Sequence, residues 1–536
     1  MKRRDFMRLG ALGFLTLTPL ATFAMSRHHK ARGADLKVRQ LPEHLPLRQL
    51  PKIENLSSGS DFKARLTLAA TPVELTGPEK TQLWLYNNQI TPLIEVTEGD
   101  NVEVQVDNHL HQPTTVHWHG LKIPNSEDGG PHDLIAPHQS RTYRFQVKPG
   151  NAGLHWFHPH PHDYLADQIA HSMAGAFLVK PLEDPLPADL PSYLLMVTDL
   201  RLDAQGQVAP HTHVDWMNGR EGDILLVNGQ RNPKLELAPG STLRLRMINA
   251  CAGRYLRLAL DKHPMQLIGT DGGYLEHPVD LDELLLVPGQ RCDLLVKLSD
   301  EPNQSFVLQK LPYDRDWMGP KPAHYLTTET LMTLATNTAT QAPAIALPQR
   351  LTEIKPLAEA EVYRQVELSE VMPGHAMSST DQHSAGHQGN ANHQNHGGHG
   401  GHGNHGNHGN HAEPGPAAMM TGRPPIDFLI NGESFTPGQI MFTGKVGQIE
   451  EWEVFNNSHM DHPFHVHGTH FQVVAEQGEA GEWQPPAYRA WLDTVNLKPK
   501  QRLKLRLVFD EPGEWMFHCH IIEHEEMGMM ASILVQ

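Results

Sequence analysis

The sequence has few cysteines, no excess of basic residues and no long apolar run in its body. Its 536 residues include three cysteines, too few for a disulfide scaffold or a four-cysteine zinc site. Lys and Arg total 44 against 61 Asp and Glu, and the net charge of −17 argues against a nucleic-acid partner. No run approaches the ~20 apolar residues that span a bilayer, so we expect no integral membrane protein. Histidine is abundant instead, with 37 residues, and its imidazole is the commonest metal-ligating side chain.

Residues 1–24 are predicted to be an export signal. Four basic residues at the start precede a short, interrupted apolar stretch from Leu9 to Ala24. The run Arg3-Arg4-Asp5-Phe6-Met7 resembles the twin-arginine signal of bacterial export; the alternative is a chance arginine pair in an ordinary secretory signal. Either signal predicts an exported protein, and the twin-arginine route places the mature chain in the periplasm.

A strand-like pattern recurs three times along the chain. In the segments 99–108, 240–249 and 447–456, an alternating stretch runs between a glycine and an asparagine nine residues apart. A second alternating stretch follows each of them, after Pro137, Pro288 and Pro499. Such period-two alternation bounded by Gly, Pro and Asn predicts half-buried strands. We therefore predict an all-β protein with three copies of one antiparallel β-sandwich or barrel domain.

The predicted domains cover residues 50–182, 190–340 and 350–536. The Pro-rich stretches 181–191 and 343–349 are the predicted linkers. Residues 375–411 differ from all of these, because they are rich in Gly, Asn and His and nearly lack aliphatic side chains. We predict that they form a disordered insert in the third domain. Its histidines recur every third residue from 393 to 411, which is consistent either with a solvated linker or with a low-specificity metal collector.

We single out four His-x-His pairs outside this insert. Two belong to the first repeat and two to the third. Because residues i and i+2 of a strand point to the same face, each pair offers two imidazoles in one direction. Eight converging imidazoles exceed the needs of one or two ions, so the pairs predict a cluster of about three metal ions. The pairs are His117-Trp-His119, His158-Pro-His160, His465-Val-His467 and His518-Cys-His520.

Cys519 lies inside the last of these pairs. Strand alternation directs its sulfur away from the face used by His518 and His520. The thiolate can therefore bind one metal while its neighbours bind another centre. His524 and Met529 follow in the sequence, and two His, one Cys and a weak Met make up the blue-copper ligand set.

These motifs together resemble those of the multicopper oxidases, and in particular the bacterial periplasmic laccase-like, cuprous-oxidase and copper-resistance branch. The resemblance covers essentially the whole mature chain. It implies three cupredoxin-like Greek-key domains, four bound copper ions and the reduction of dioxygen to water. The motifs are 117–120 (His-Trp-His-Gly), 156–160 (Trp-Phe-His-Pro-His), 462–468 (His-Pro-Phe-His-Val-His-Gly) and 518–529 (from His-Cys-His to Met).

The resemblance also implies a role for each matching residue. The type 1 copper would be held by His462, Cys519, His524 and Met529. The type 2 copper would be held by His117 and His465. The type 3 pair would be held by His119, His158, His160, His467, His518 and His520. Asp128 and Glu525 resemble the acids that supply protons in the family; the alternative is that both are solvated carboxylates.

The electron donor is less clearly specified. In the cuprous-oxidase branch a methionine-rich insert lies over the type 1 site, whereas the insert here is mainly histidine. Met372, Met377 and Met460 are candidate ligands for a substrate copper ion, because thioethers favour Cu(I). The alternative for each is ordinary packing.

Three functions are compatible with these features. The first is an oxidase of Cu(I), and of phenols or aromatic amines, with a role in copper tolerance. The second is a laccase that acts mainly on organic donors, and the third is a metal-sequestering protein that works through the insert. We expect a monomer. Cys251 and Cys292 either form a disulfide or remain two buried thiols.

Overall fold

The structure is a computed structural model that describes residues 41–59, 61–75, 80–372, 422–478 and 481–536. Its strands form six sheets, two in each of three successive β-sandwiches. The predicted signal 1–24, the insert 375–411 and Met377 lie outside the described residues. None of the described helices exceeds six residues, and none has the length and apolar character of a membrane span.

The first sandwich has sheets of four strands each, in the orders β2-β1-β4-β6 and β3-β8-β7-β5. Apolar side chains from both sheets, among them Leu66, Val104 and Trp118, form its core. Its elements are β1 Asp61–Glu74, β2 Lys80–Tyr86, β3 Leu93–Thr97, β4 Asn101–Asn108, β5 His117–His119, a 3-10 helix Asn125–Glu127, β6 Ser140–Gln146, β7 Gly153–His158, α1 Leu165–Ala170 and β8 Gly175–Lys180.

The second sandwich has sheets of six and five strands, in the orders β10-β9-β12-β17-β14-β15 and β11-β19-β18-β13-β16. Its elements are β9 Ser192–Leu200, α2 His213–Asn218, β10 Ile224–Val227, β11 Lys234–Leu237, β12 Thr242–Asn249, β13 Leu256–Leu260, β14 Met265–Thr270, β15 Gly273–Leu281, β16 Glu283–Leu286, β17 Arg291–Lys297, β18 Ser305–Leu311 and β19 Glu329–Thr336.

The third sandwich repeats this arrangement, in the orders β21-β20-β23-β28-β25-β26 and β22-β30-β29-β24-β27. Its elements are β20 Val362–Val371, β21 Asp427–Ile430, β22 Ile440–Gly444, β23 Ile449–Asn456, β24 His462–Val466, β25 Phe471–Gln477, β26 Trp483–Gln484, β27 Thr494–Leu497, β28 Arg502–Val508, β29 Gly513–Cys519, α3 Ile522–Glu526 and β30 Met530–Val535.

The three sequence repeats occupy the same place in each sandwich. They form β4, β12 and β23, which pair antiparallel with β6, β17 and β28, the strands that follow the three prolines. Each repeat ends at its asparagine, whose side-chain amide donates to a carbonyl oxygen of a crossing segment at 2.9 Å in all three cases. The all-β, three-sandwich fold is confirmed, whereas the domain limits 50–182, 190–340 and 350–536 stay predictions.

One repeat strand, β12, departs from the predicted half-burial. β28 alternates between buried and partly exposed residues, but all residues of β12 after the first are buried. Leu243, Leu245 and Met247 of β12 enter the core of the second sandwich. Arg244 and Arg246 point to its other face, where Asp293 pairs with both. A polar face can therefore be buried when its charges are matched.

Candidate metal centre

The eight paired histidines meet where the first and third sandwiches face each other. In the first sandwich, strand pairing places His117 opposite His158. In the third, it places His465 opposite His518. Two ring stacks cross between the sandwiches, His117 on His467 and His119 on His465, each with centroids 3.9 Å apart. We call these eight residues the histidine cluster, and all of them are buried.

The ring nitrogens of the histidine cluster fall into three groups. Within each group, the candidate ligand atoms lie within 4.8 Å of one another. His119 belongs to the first two groups, and the stack of His117 on His467 joins the first group to the third. The groups are His117, His119 and His465; His119, His158 and His520; and His160, His467 and His518.

Backbone carbonyl groups orient part of the cluster. His117, His158 and His465 each donate a hydrogen bond from Nδ1, so the lone pair of each ring lies on Nε2. All three Nε2 atoms are buried and have no hydrogen-bond partner among the described residues. Buried nitrogen lone pairs without partners are suited to metal ions, and the carbonyl groups fix the ring orientation. The acceptors are Asp128 O at 3.0 Å, Pro159 O at 2.7 Å and Asp493 O at 2.8 Å.

Burial keeps most of these imidazoles neutral. It lowers the pKa of His160 to about 3 and that of His465 to about 4. It also lowers the pKa of His119, His158, His467 and His520. For His518, burial likewise acts to lower the pKa, but the Glu525 carboxylate outweighs this and raises it above the ordinary value. Neutral imidazoles have the free lone pair that metal ligation requires.

A second set of donors lies behind the cluster, within the third sandwich. The Sγ of Cys519 is 3.3 Å from Nδ1 of His462 and 3.9 Å from Nδ1 of His524. Met529 is buried beside them, and its backbone joins both ligand segments: its N–H donates to His524 O at 2.9 Å and its carbonyl accepts from Cys519 N at 3.0 Å. We call Cys519, His462, His524 and Met529 the thiolate site.

Three consecutive residues link the two sites. His518 directs its Nε2 toward His467 Nε2 at 3.0 Å, and His520 directs its Nε2 toward His119 Nδ1 at 3.3 Å. The sulfur of Cys519, between them, points instead to His462. This is the arrangement that strand alternation predicts. Burial raises the pKa of the Cys519 thiol, so a bound cation would have to stabilise the thiolate.

The two candidate proton-supply acids each lie between two histidines of the cluster. Asp128 Oδ2 is 2.9 Å from His467 Nδ1 and 3.4 Å from His117 Nδ1. Glu525 carboxylate oxygens lie 3.3 Å from His160 Nε2 and 3.1 Å from His518 Nδ1. Burial acts to raise the pKa of both acids, but the neighbouring imidazoles lower it, for Glu525 to about 2.

The structure adds polar residues that no sequence motif indicated. Asp493 Oδ1 lies 3.2 Å from His119 Nε2 and 3.5 Å from His465 Nδ1. At the thiolate site, His462 Nε2 is 2.8 Å from the Ser458 hydroxyl oxygen. Asp493 and Ser458 belong to no motif with a characteristic spacing, so their positions near the ligands become evident only in the folded structure.

The same His-x-His spacing also occurs at 109–111, 160–162 and 211–213. The pair His211-Thr-His213 lies away from the cluster. It stands at the beginning of α2, and His211 Nε2 is 3.0 Å from a carboxylate oxygen of Glu523 on α3. The spacing alone therefore does not identify a cluster residue, because the strand context is also needed.

The candidate substrate-copper methionines are placed differently. Met460 is fully buried, and Met372 is half-buried against the core of the third sandwich. Glu370, two residues before Met372, forms an ion pair with His459, which directly precedes Met460, and keeps its Oε2 buried without a hydrogen-bond partner among the described residues. The sequence interpretation did not include Glu370 or His459.

The two remaining cysteines are free thiols. Cys251 and Cys292 are both buried and unbridged, which decides between the two alternatives left open by the sequence. Burial raises the pKa of both thiols. They are therefore inert packing residues of the second sandwich.

The donors of both sites fit copper. Two imidazoles, one thiolate and a nearby thioether form the set that copper favours over hard cations, and neutral imidazole is also a good copper ligand. The unpartnered nitrogens of His117, His158 and His465 provide a structural reason for metal ions in the cluster.

Three family models, each described as multicopper oxidase, match this chain. They match residues 67–184, 196–333 and 409–536. Each match overlaps one of the three sandwiches.

Individual relatives agree with the family models. The chain is 30% identical over 461 residues to the multicopper oxidase mco of Staphylococcus epidermidis, covering 84% of this chain and 83% of that protein. A solved multicopper oxidase of Campylobacter jejuni, described as a metallo-oxidase, is 35% identical, with a TM-score of 0.79 and coverage of 93% and 96%. The cell division protein FtsP of Dickeya dadantii is 26% identical over 490 residues, covering 88% and 89%. The predicted resemblance is confirmed: the chain belongs to the multicopper oxidase family of copper-binding oxidoreductases, which use O2 as electron acceptor.

Proposed function

We propose that this protein oxidises Cu(I), and small phenolic or aromatic-amine donors, at a type 1 copper in the thiolate site and reduces O2 to water at three coppers in the histidine cluster. Copper in these sites supplies the one-electron redox chemistry that takes electrons singly from the donor and delivers four to O2. The observation that carries the proposal is that the Cys519 side chain points to one site while those of His518 and His520 point to the other. Three consecutive residues therefore supply donors to two centres.

The ligand assignment follows the three nitrogen groups. We propose His117 and His465 for the type 2 copper, since their unpartnered Nε2 atoms face the same space. The other two groups supply three nitrogens each, which suits a type 3 pair. The proposed type 3 ligands are His119, His158 and His520 for one ion and His160, His467 and His518 for the other.

The chain's acids supply the protons. Asp128 contacts a proposed type 2 ligand and a proposed type 3 ligand, and Glu525 contacts two type 3 ligands on another side. Both carboxylates are buried, so they exclude bulk water while standing next to the space where oxygen is reduced. We propose that these anionic carboxylates transiently accept and pass on the protons that water formation consumes.

A copper measurement tests the proposed function most directly. Purified copper-replete protein should contain about four copper ions per chain, as the family pattern implies, with the intense blue absorption of a Cys-ligated copper and a type 2 spin-resonance signal. A donor panel on the same sample then ranks Cu(I), phenols and aromatic amines by kcat/KM. Zinc in place of copper, or no metal, would contradict the proposal.

Cationic donors are favoured by the charge beside His462. Burial acts to raise the pKa of Glu370, but the His459 ion pair lowers it, so the carboxylate stays anionic. The Campylobacter jejuni relative is described as a metallo-oxidase, which agrees with a metal-ion donor. We propose that Glu370 attracts Cu(I) toward His462, and that Met372, Met377 and Met460 assist as thioether ligands.

Glu370→Gln separates cationic from neutral donors. The substitution should raise KM for Cu(I) several-fold and leave KM for a neutral phenol unchanged, because only the cation interacts with the charge. Glu367→Gln, on the same strand β20, removes an equal charge and serves as the matched control. Equal changes for both donors, or equal effects of the two substitutions, would exclude this role of Glu370.

Location in the periplasm, and with it a role in copper tolerance, rests on the twin-arginine resemblance of residues 3–7. Replacing Arg3 and Arg4 together by lysine should block export and trap the protein in the cytoplasm. Cell fractionation of the two forms tests this. Unchanged export would indicate an ordinary secretory signal.

The relation to FtsP raises a different function, in cell division. The complete set of twelve candidate copper ligands supports the oxidase instead, since a relative without copper would be expected to have lost several. A copper-free purified protein would favour the other function.

A further inference from the structure

The second sandwich contributes none of the proposed copper ligands, yet one of its side chains reaches the histidine cluster through a single intermediary. Asp493, just before β27 in the third sandwich, lies between His119 of the first sandwich and His465 of the third. Its Oδ1 also accepts a hydrogen bond from the Thr494 hydroxyl at 2.8 Å. The intermediary is therefore a buried carboxylate that contacts one ligand from each side of the cluster.

Arg291, the first residue of β17, holds this carboxylate. Its guanidinium makes a two-pronged contact, from Nη1 to Asp493 Oδ1 at 2.8 Å and from Nη2 to Oδ2 at 2.6 Å. The remaining three donors go to backbone carbonyl groups of Leu154 in the first sandwich (3.0 Å) and of Gly289 (3.1 Å) and Asp271 (3.2 Å) in the second. All five guanidinium donors are thus used, and they join all three sandwiches.

The surroundings leave this pair no freedom to shift. A Cβ on Gly120, which follows His119, would lie 2.4 Å from Arg291 Nη2 and 2.7 Å from Asp493 Oδ2. On the other side, the Asp271 carboxylate accepts from the backbone N–H of Arg291 at 2.8 Å and from that of Asp493 at 3.3 Å. The glycine of the His117–Gly120 motif is therefore required by the close approach of the ion pair.

We propose that Arg291 is a positioning residue for the histidine cluster: through Asp493 it fixes the rings of His119 and His465, and thereby sets copper occupancy at the junction of the sandwiches. The inference rests on the proposed function, since it assumes that these rings bind copper. Asp493 accepts from the nitrogen of His119 that faces away from His520, which leaves Nδ1 directed into the cluster. Removing partners of this kind typically weakens metal binding about 10- to 100-fold.

The test compares Arg291→Lys and Arg291→Met with the unaltered protein. Lysine keeps the charge but cannot contact both carboxylate oxygens and three carbonyl groups at once. Both variants should bind copper in the histidine cluster about 10- to 100-fold more weakly, with lysine the milder, and lose the type 2 spin-resonance signal. The blue absorption should persist, because Arg291 contacts no residue of the thiolate site, and it reports folded protein in the same sample.

Arg254→Met is the matched control. Arg254 is as fully buried as Arg291, with 0% side-chain exposure for both, and it is also ion-paired. Its contacts to Asp199, Glu329 and Gly222 all stay within the second sandwich. It should lower the melting temperature without changing the ratio of cluster copper to blue copper.

A double variant separates positioning from simple stability. Arg291→Met leaves the buried Asp493 charge uncompensated, and adding Asp493→Asn removes that charge. The double variant should regain melting temperature but not the type 2 signal. Recovery of both, or a normal type 2 signal in Arg291→Lys, would overturn the positioning role. Absence of cluster copper in the unaltered protein would instead refute the proposed function itself, so the two failures are distinguishable.

Discussion

The thiolate site and the histidine cluster lie next to each other but are built in different ways. All four residues of the thiolate site come from the third sandwich, within residues 462–529. The histidine cluster takes four residues from the first sandwich and four from the third, and its supporting Asp493 is held by the second. The ligands of one site therefore come from a single sandwich, with one supporting contact from His524 Nε2 to the Met217 carbonyl of the second at 3.2 Å, whereas the other site forms only when three sandwiches pack together.

The two sites should therefore differ in their sensitivity to substitutions elsewhere in the chain. A local site tolerates changes elsewhere in the chain, because its geometry depends on short connections such as the one from Cys519 to His524. An interfacial site depends on the packing of whole sandwiches, so distant changes can empty it. A change confined to one site should therefore leave the other as a reporter of the intact fold.

Cys519→Ser should produce the largest effect. The hydroxyl is a poor copper ligand, so the blue absorption should vanish and donor oxidation should fall by more than the about 100-fold typical of supporting residues. The histidine cluster should keep its type 2 signal, because its ligands are unchanged. Copper content, visible absorption and spin resonance on one sample measure both sites. Loss of copper from the histidine cluster in this variant would show that the two sites do not bind copper independently.

The sequence was sufficient for the parts that depend on local rules. Strand alternation predicted that Cys519 and its neighbours point in opposite directions, and the Gly-to-Asn repeats predicted three related sandwiches. The His-x-His spacing predicted a shared direction for His117 and His119 on β5, and for His465 on β24 and His467 one residue beyond its end. These features depend on neighbours in the chain, so they are readable before the fold is known.

The supporting residues were not predictable in the same way. Arg291 and Asp493 are 202 residues apart and belong to no repeated pattern. The burial of Arg244 and Arg246 on β12 was also missed, because alternation predicts which face is polar but not whether another segment covers it. Contacts between sandwiches depend on how they pack, which no local pattern specifies.

Asp128→Asn and Glu525→Gln should slow O2 reduction at the histidine cluster and leave donor oxidation at the thiolate site unchanged. Loss of a positioned proton donor typically costs at least about 100-fold, so O2 reduction should slow by that order. Anaerobic bleaching of the blue absorption by donor should keep its rate, since neither carboxylate forms a hydrogen bond or ion pair with a side chain of the thiolate site among the described residues. Stopped-flow absorption measures both half-reactions. Glu127→Gln, a partly exposed neighbour of Asp128, is the control. Slower bleaching would show that the acids act on both sites.

Removal of copper should make the free energy of unfolding fall as the pH is lowered. The pKa values of His160 and His465 are lowered in the folded protein, to about 3 and about 4, because burial disfavours their charged forms. The unfolded chain therefore binds more protons below its ordinary histidine pKa of about 6.5, and each such histidine costs about 1.4 kcal/mol of stability per pH unit. Stability is retained above that pH and lost as the pH falls from about 6.5 toward 4.

Thermal unfolding of copper-free protein at pH 7.5 and pH 5 measures this loss. Six of the twelve described histidines whose pKa is lowered lie in the histidine cluster, so acid should first weaken the contact between the first and third sandwiches. Copper-loaded protein, in which the metal competes with protons, is the control. Equal melting shifts in both forms would show that the cluster does not govern the acid response.

Deletion of residues 375–411 should have the smallest effect, limited to the donor side. Both described flanks lie near the thiolate site: Met372 packs on the core that contains Cys519, and Arg423 pairs with Glu526 on α3, which also carries His524. We predict a few-fold rise in kcat/KM for bulky phenols, because an insert in this position restricts their approach. KM for O2 should not change, since the histidine cluster is on the other side of Cys519.

A length-preserving variant, with the seven histidines from 393 to 411 replaced by glutamine, separates bulk from metal binding. If the insert collects copper, this variant should oxidise Cu(I) more slowly than the unaltered protein and oxidise phenols at the same rate. If the insert is only a linker, both rates should stay the same. Slower phenol oxidation after deletion would contradict the steric argument, and a changed KM for O2 would show that the two sites are less independent than their construction implies.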